Sequence, residues 1–188
     1  AMLMLILLSV LIPARAEESV SPMIVSETAN STEYPALEAD IPVITSEGKS
    51  NVKIAGVKSK NKLVRYTIPE TLLRADENFL ALMVEAEKYI GYPYVYGGSK
   101  PSTGFDCSGF VCWVFRQSGV YDTGRLGAKG LYSLCTDVSR DEARPGDLVF
   151  FTKTMGADVK GITHVGIYVG NNMMLHAGDP VGFADLQS

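Results

Sequence analysis

A cysteine lies between an acid and a serine in GFDCSGFVCWVF, residues 104–115. Asp106 is a good helix N-cap, and Gly119 is a typical helix end. One helical face between them carries Cys107, Phe110, Val111, Val114 and Ser118. The spacing therefore predicts a helix whose first turn contains Cys107. Free N–H groups and aligned peptide dipoles at that end favour a thiolate and can hold an oxyanion, so we expect a nucleophilic thiol with a lowered pKa.

A cysteine nucleophile needs a base, and the chain contains only two histidines, His164 and His176. Residues 163–169 and 173–177 have the composition of two strands joined by a turn at residues 170–172. If the hairpin turns about Asn171, residue 166 lies opposite residue 176. His164 is then on the same face as His176, one diagonal step of about 7–8 Å away. That register permits a base and an orienting partner, whereas a turn centred between residues 171 and 172 would exclude the relay.

Other roles for these residues remain open. A lone strand histidine is more often a satisfied core residue than a base. The spacing of the histidines and cysteines does not match a zinc site, and we expect no metal or cofactor. The chain has three cysteines, an odd number, so at least one thiol is left unpaired even if the protein is exported to an oxidising compartment. Cys112 and Cys135 can form a disulfide or fill apolar space as thiols, and we favour thiols.

The remaining pattern predicts an α+β fold. A helix is expected from Asp76 to a stop at Gly91, with one apolar face formed by Phe79, Leu82, Met83, Ala86 and Ile90. A loop rich in glycine, proline and tyrosine follows, over residues 91–106. Residues 121–144 read as a loop, and DLVFF, residues 147–151, reads as a buried strand. Helices followed by antiparallel strands define the α+β class.

The N-terminal half divides into three segments. The apolar run of residues 2–12, followed by Ala14-Arg15-Ala16, predicts a signal peptide over residues 1–16. A buried core segment or part of a longer anchor is the alternative. Residues 17–75 are expected to be a flexible linker or pro-segment because residues 17–50 are rich in Ser, Thr, Pro and acids. Within this linker, residues 51–69 contain five cations and no acid, and we call them the basic segment. This composition predicts either a solvated linker or a segment that binds an anionic wall polymer.

The net charge of −4 provides no uniform basic surface, and we expect neither nucleic acid nor anionic lipid as a partner. The folded domain is expected over residues 76–188. Nothing in the composition requires an oligomer, and we expect a monomer.

Five ordered motifs resemble the NlpC-type family of bacterial cell-wall endopeptidases. They are PYVYGG (93–98), GFDCSGF (104–110), PGDLVFF (145–151), HVGIYVG (164–170) and LHA (175–177). The resemblance covers about residues 77–188 and implies a papain-like fold. It implies that Cys107 is the nucleophile, His164 the base and His176 the residue that orients the imidazole. It further implies that Tyr94, Asp106 and Ser108 line the substrate-binding site.

The same resemblance implies an exported enzyme that cuts peptidoglycan stem peptides, most often between D-γ-glutamyl and a diamino acid. An amidase or acyltransferase on the same scaffold, or a wall-binding module without catalysis, are the alternatives. Two departures from the family pattern stand out. Gly127 occupies a position where relatives have Ser or Thr, and the final aromatic-rich strand of the family is expected to be missing, which would leave a sheet edge open.

Overall fold

A computed structural model describes residues 7–10, 41–47, 52–156 and 159–187 of the chain, the first of these as backbone. The helices are α1 (Glu70–Leu73), α2 (Glu77–Glu87), α3 (Cys107–Gln117) and α4 (Ala128–Tyr132), with a 3₁₀ turn at Arg140–Glu142. The strands are β1 (Leu7–Val10), β2 (Lys53–Ile54), β3 (Val57–Lys58), β4 (Ser99–Lys100), β5 (Gly104–Phe105), β6 (Thr136–Val138), β7 (Leu148–Thr152), β8 (Ile162–Gly170), β9 (Met173–Ala177) and β10 (Val181–Asp185).

The main sheet is antiparallel and has the strand order β10-β9-β8-β7-β1-β6. Helix α3 packs against β8 and β9, so the helix that begins at Cys107 lies on the hairpin that carries both histidines. Alternate residues of β8, among them Val165 and Ile167, enter one core with Phe110 and Val114 of α3. Helices on one face of an antiparallel sheet give the predicted α+β architecture.

Strand β1 lies in the segment that was predicted to be a signal peptide. Its backbone pairs with β7 on one side, where Leu8 faces Val149, and with β6 on the other, where Leu8 faces Val138. This pairing is the arrangement expected from the core-segment interpretation. Cleavage of residues 1–16 as an export signal stays a prediction.

The predicted boundary of the folded domain at residue 76 is wrong. Ile44, Ile68 and Leu73 are all buried in the main core, although they lie in the segment predicted to be a flexible linker. The side chain of Ser46 donates to the carbonyl of Val64, and the amide of Ile68 donates to the carbonyl of Ile44 at 3.1 Å. The average composition of this segment is polar, so it gave no indication that these isolated apolar residues are buried.

Helix α2 begins as predicted, because Asp76 accepts a hydrogen bond from the amide of Phe79 at 2.8 Å. The prediction that residues 121–144 form a loop is wrong in part. They contain α4, β6 and the 3₁₀ turn, and Leu131 of α4 is fully buried. These elements are three to five residues long, which is too short for hydrophobic periodicity to reveal.

The glycine-rich loop before α3 makes a close backbone contact with that helix. The amide of Asp106 donates to the carbonyl of Gly98 at 2.9 Å, and a Cβ on Gly109 would lie 2.1 Å from the same oxygen. Only glycine at position 109 allows this approach. The loop is therefore fixed against the helix end that contains Cys107.

We predict that Gly109→Ala lowers the free energy of unfolding by about 2–3 kcal/mol, because backbone must move to admit the methyl group. Urea denaturation of both proteins measures the change. Gly127→Ala is the matched control, since a Cβ on Gly127 meets nothing within 4 Å and its φ is −78°. A loss for Gly109→Ala no larger than that of the control would contradict the close contact.

Candidate active site

Cys107 is the first residue of α3, with the predicted cap on its N-terminal side. Oδ1 of Asp106 accepts a hydrogen bond from the amide of Gly109 at 2.6 Å. The side chain of Cys107 is largely covered, with 7% of the residue exposed. Its sulfur receives the backbone N–H groups of Ser108, of Cys107 itself and of Val165, the residue after His164. The helix end and the histidine strand thus meet at this sulfur.

The two histidines form a pair on one face of the hairpin. His164 Nε2 lies 2.7 Å from His176 Nδ1, and the rings meet edge to face with centroids 4.9 Å apart. This bond engages Nε2 of His164 and leaves Nδ1 as the ring nitrogen for proton transfer. The predicted juxtaposition of His164 and His176 is therefore present.

The register that produces the pair arises differently from the expectation. Asn171 and Asn172 both have positive φ, at 51° and 57°, and Gly170 faces Met173 across them, so the turn is centred between the two asparagines. A bulge between Tyr168 and Gly170 then shifts the ladder by one residue. Beyond the bulge Tyr168 faces Met174, which is the register that brings His164 and His176 to one face.

Two glycines make room for His176. A Cβ on Gly166 would lie 3.1 Å from Cβ of His176 and 2.8 Å from the sulfur of Met174. A Cβ on Gly178 would lie 2.9 Å from Nε2 of His176. The imidazole is therefore held between closely approaching backbone segments, and its orientation is restricted.

Burial keeps both imidazoles neutral at pH 7. It lowers the pKa of His164 to about 4, although the nearby Asp106 carboxylate acts in the opposite direction. It lowers the pKa of His176 to about 3, and the charge of His164 adds to this effect. A neutral His164 can accept a proton at physiological pH.

The expected lowering of the Cys107 pKa is wrong for this structure. Burial raises the pKa of the thiol above its ordinary value, and the Asp106 carboxylate adds to the increase. The backbone N–H groups of Val165, Ser108 and Cys107 act in the opposite direction but are weaker than burial. At neutral pH both the Cys107 thiol and the His164 imidazole are therefore uncharged.

We predict that iodoacetamide alkylates Cys107 at a rate that keeps rising with pH beyond pH 9, without a plateau near neutrality. The raised pKa of the thiol is the reason. The rate is measured by mass spectrometry in a Cys112→Ala/Cys135→Ala variant, so that Cys107 alone reacts. A rate that is constant between about pH 5 and pH 8 would reveal a preformed thiolate–imidazolium pair and contradict the prediction.

Tyr94 lies close enough to Cys107 to interact with it electrostatically. Its backbone forms an isolated parallel bridge with Phe105, just before α3, and its side chain lines a groove with His164 and His176. Burial raises the pKa of Tyr94 to about 12, and charge on Cys107 and Asp106 contributes further. The hydroxyl is therefore protonated at neutral pH and can donate a hydrogen bond.

Asp106 and Ser108 are joined by a third residue that sequence reasoning did not select. Arg125 pairs with Oδ2 of Asp106 at 2.8 Å and donates to Oγ of Ser108 at 3.1 Å. Ser108 in turn donates to Oδ1 of Asp106 at 3.0 Å. The sequence contains this arginine in GRLGA, residues 124–128. Its contact with Asp106 could not be predicted, because the two residues are far apart along the chain.

The groove has a volume of about 490 Å³ and runs over the histidine pair. Phe151, Met155 and Met174 supply apolar walls, Tyr96 stands 79% exposed at its edge, and Asp179 contributes a carboxylate. A cleft of this volume, with apolar walls and a few polar groups, is typical of a ligand-binding site.

The part of the chain that the structure describes contains no group of three or more His, Cys, Asp or Glu side chains arranged to hold a metal ion. Cys112 is a buried thiol whose sulfur lies 3.5 Å from both the amide and the carbonyl of Leu126. The thiol of Cys135 donates to the carbonyl of Leu131 at 3.2 Å. Among the described helices, none is both long and apolar enough for a membrane span.

A cysteine at a helix N-terminus, set against a hairpin whose two strands each carry one histidine of the pair, defines a papain-like α+β domain. The model of the NlpC/P60 family matches residues 91–188, and the chain belongs to that family. The resemblance and the papain-like fold that the sequence predicted are thereby confirmed.

Individual relatives agree with this assignment. The chain is 47% identical over 108 residues to the bifunctional muramidase/DL-endopeptidase CwlT of Bacillus subtilis, a match that covers 57% of this chain and 32% of CwlT. It is 46% identical over 94 residues to the gamma-DL-glutamyl hydrolase of the same organism, covering 50% and 22%. A crystal structure of a lipoprotein-like NLP/P60 family protein from Staphylococcus aureus superposes with a TM-score of 0.56 and 45% identity, over 60% of this chain and 37% of that one. The chain thus spans about a third of these relatives or less.

Proposed function

We propose that this chain is an exported cysteine endopeptidase that hydrolyses peptidoglycan stem peptides, at the bond between D-γ-glutamyl and a diamino acid. The observation that carries the proposal is the contact of the Cys107 sulfur with the strand of His164, whose ring is bonded to His176 at 2.7 Å. The names of two relatives, a muramidase/DL-endopeptidase and a gamma-DL-glutamyl hydrolase, support the choice of bond.

In the first half of the reaction, Nδ1 of His164 takes the thiol proton as Cys107 Sγ bonds to the substrate carbonyl carbon. The N–H groups of Cys107 and Ser108, which face the sulfur, stabilise the resulting oxyanion in this proposal, with the Tyr94 hydroxyl as a further donor. His164 then gives its proton to the nitrogen as the C–N bond breaks. An amine leaves and a thioester remains on Cys107.

In the second half, His164 takes a proton from water, and the resulting hydroxide attacks the thioester carbon. The C–S bond breaks, the sulfur regains its proton from His164, and a carboxylic acid is released. We assign the hydrogen between the two rings to Nε2 of His164, with His176 Nδ1 as its acceptor, because this tautomer leaves Nδ1 of His164 free to accept a proton.

Selectivity is assigned to the groove and to the Asp106–Ser108–Arg125 network beside the nucleophile. Because Asp106 and Ser108 are buried while Arg125 is partly exposed, the network presents fixed polar atoms to a substrate peptide. Buried polar groups that bind a substrate amine or hydroxyl discriminate strongly against substrates that lack it.

Mass spectrometry of defined muropeptides before and after incubation with the protein tests the function. Loss of the γ-glutamyl–diamino acid bond, with a new amine, is the expected result. Cleavage at the sugar–peptide amide would instead indicate an amidase, and a new amide in place of a free acid would indicate an acyltransferase. Binding without any new amine would indicate a wall-binding module.

A further inference from the structure

The basic segment carries Lys53, Lys58, Lys60, Lys62 and Arg65 and no acid, in a chain whose net charge is −4. All five cations are exposed. None of them forms an ion pair within the part of the chain that the structure describes. We propose that this segment binds carboxylates of the peptidoglycan strand whose peptide occupies the groove. The inference rests on the proposed function for the identity of that strand.

Two of the cations are held directly opposite each other. Strands β2 and β3 form a hairpin in which Lys53 faces Lys58, and Ala55 and Gly56, both with positive φ, make its turn. Their side chains lie on the same face of this hairpin. Like charges directly opposite one another destabilise a strand pair. A carboxylate placed between the two ammonium groups removes that repulsion, so the hairpin is suited to an anionic ligand.

The segment is anchored next to the groove. The amide of Lys60 donates to Oδ2 of Asp179 at 3.1 Å, and Asp179 lines the groove together with the histidine pair. Leu63 covers Gly182 of β10, where an added Cβ would lie 2.9 Å from Cδ2 of Leu63. Tyr66 stacks edge to face on Phe183 at a centroid distance of 5.0 Å. The cations are therefore part of the surface that extends from the groove.

The chemistry of the proposed substrate supplies the matching charge. A γ-linked glutamyl residue keeps its α-carboxylate free, and stem peptides end in carboxylates, so a strand presents several anions near each scissile bond. The chain as a whole is negative and repels such a polymer at long range. A local cluster of cations acts within a Debye length of about 8–10 Å and draws the strand to the groove.

The test measures binding to purified sacculi by co-sedimentation, in a Cys107→Ala background so that nothing is cleaved. Lys58→Glu is the variant, because its new carboxylate faces Lys53 across the hairpin and forms an attractive pair that preserves the fold. Lys129→Glu is the matched control, with an equal change of charge at an exposed residue of helix α4. We expect Lys58→Glu to weaken binding about threefold to tenfold more than the control, with a flatter dependence on salt.

Two further treatments of the sacculi test whether the bound anion is a carboxylate or a phosphate. Removal of phosphate polymers from the sacculi should leave the difference between Lys58→Glu and Lys129→Glu unchanged, whereas amidation of the sacculus carboxylates should abolish it. Equal weakening by both variants, or a difference that disappears with the phosphate polymers, would overturn the proposal. Absence of hydrolysis by the wild-type protein would refute the proposed function. The binding proposal would be unaffected, because binding is measured without cleavage.

Discussion

Cys107→Ser is expected to reduce the rate of muropeptide hydrolysis by about 10⁴-fold or more, with the fold and its stability nearly unchanged. The hydroxyl has almost the size of the thiol and keeps the same place at the start of α3. However, its much higher pKa makes transfer of its proton to His164, whose pKa is about 4, far less favourable. The release of new amines from a defined muropeptide under single-turnover conditions measures the effect.

The interdependence of the two residues provides the control. His164→Asn alone is expected to cost about as much as Cys107→Ser, and the double variant no more than either, because the two groups act as a unit. Urea denaturation at pH 7 confirms that each variant is folded. Retention of more than about a tenth of wild-type hydrolysis by Cys107→Ser would exclude a thiol nucleophile.

The sequence was sufficient to predict helix α3 and its cap, because an N-cap aspartate and an apolar face are local signals. Asp106 caps Gly109 as expected, and Cys107 is the first residue of the helix. It was also sufficient to predict β7, β8 and β9, whose composition marks them as strands. Local patterns therefore predicted correctly which elements carry Cys107 and both histidines.

The histidine register agrees with a turn about Asn171, which was one of the two turns that the sequence left open. The turn itself is the other one, between Asn171 and Asn172, and a bulge between Tyr168 and Gly170 compensates for the difference. Asparagine tolerates a positive φ at both turn positions, which makes this two-residue turn possible. A bulge has no reliable signature in one sequence, so the compensation could not be predicted.

The electrostatics of the site could not be predicted either. The helix N-terminus indicated a lowered pKa for Cys107, but the effect of burial depends on tertiary contacts and outweighs it. Other contacts between segments that are distant in sequence could not be predicted for the same reason. They include the ion pair that Arg125, on a separate loop, forms with Asp106, and the packing of Ile44 and Ile68 against the core. Burial of Cys107, with the N–H of Val165 at its sulfur, depends on segments that are distant from it in sequence.

The histidine pair is expected to make the fold sensitive to acid. Below pH 6.5 an unfolded chain protonates its histidines, whereas the folded chain protonates His164 only near pH 4 and His176 only near pH 3. The unfolded state therefore binds more protons in this window, and stability, complete above pH 6.5, is lost as the pH falls. Between pH 6.5 and pH 5 we expect a loss of about 3 kcal/mol from the two groups together.

The measurement compares urea denaturation of the wild-type protein with that of a His164→Asn/His176→Asn variant at several pH values. Because the chain has only two histidines, this variant removes every imidazole from the titration. Asp147, whose pKa is raised by burial, acts with the opposite sign, but it is present in both proteins and its contribution cancels in the difference. Parallel dependence of the two proteins on pH would show that the histidines titrate normally in the folded state. The neutral imidazole that the proposed proton transfer requires at mildly acidic pH would then be absent.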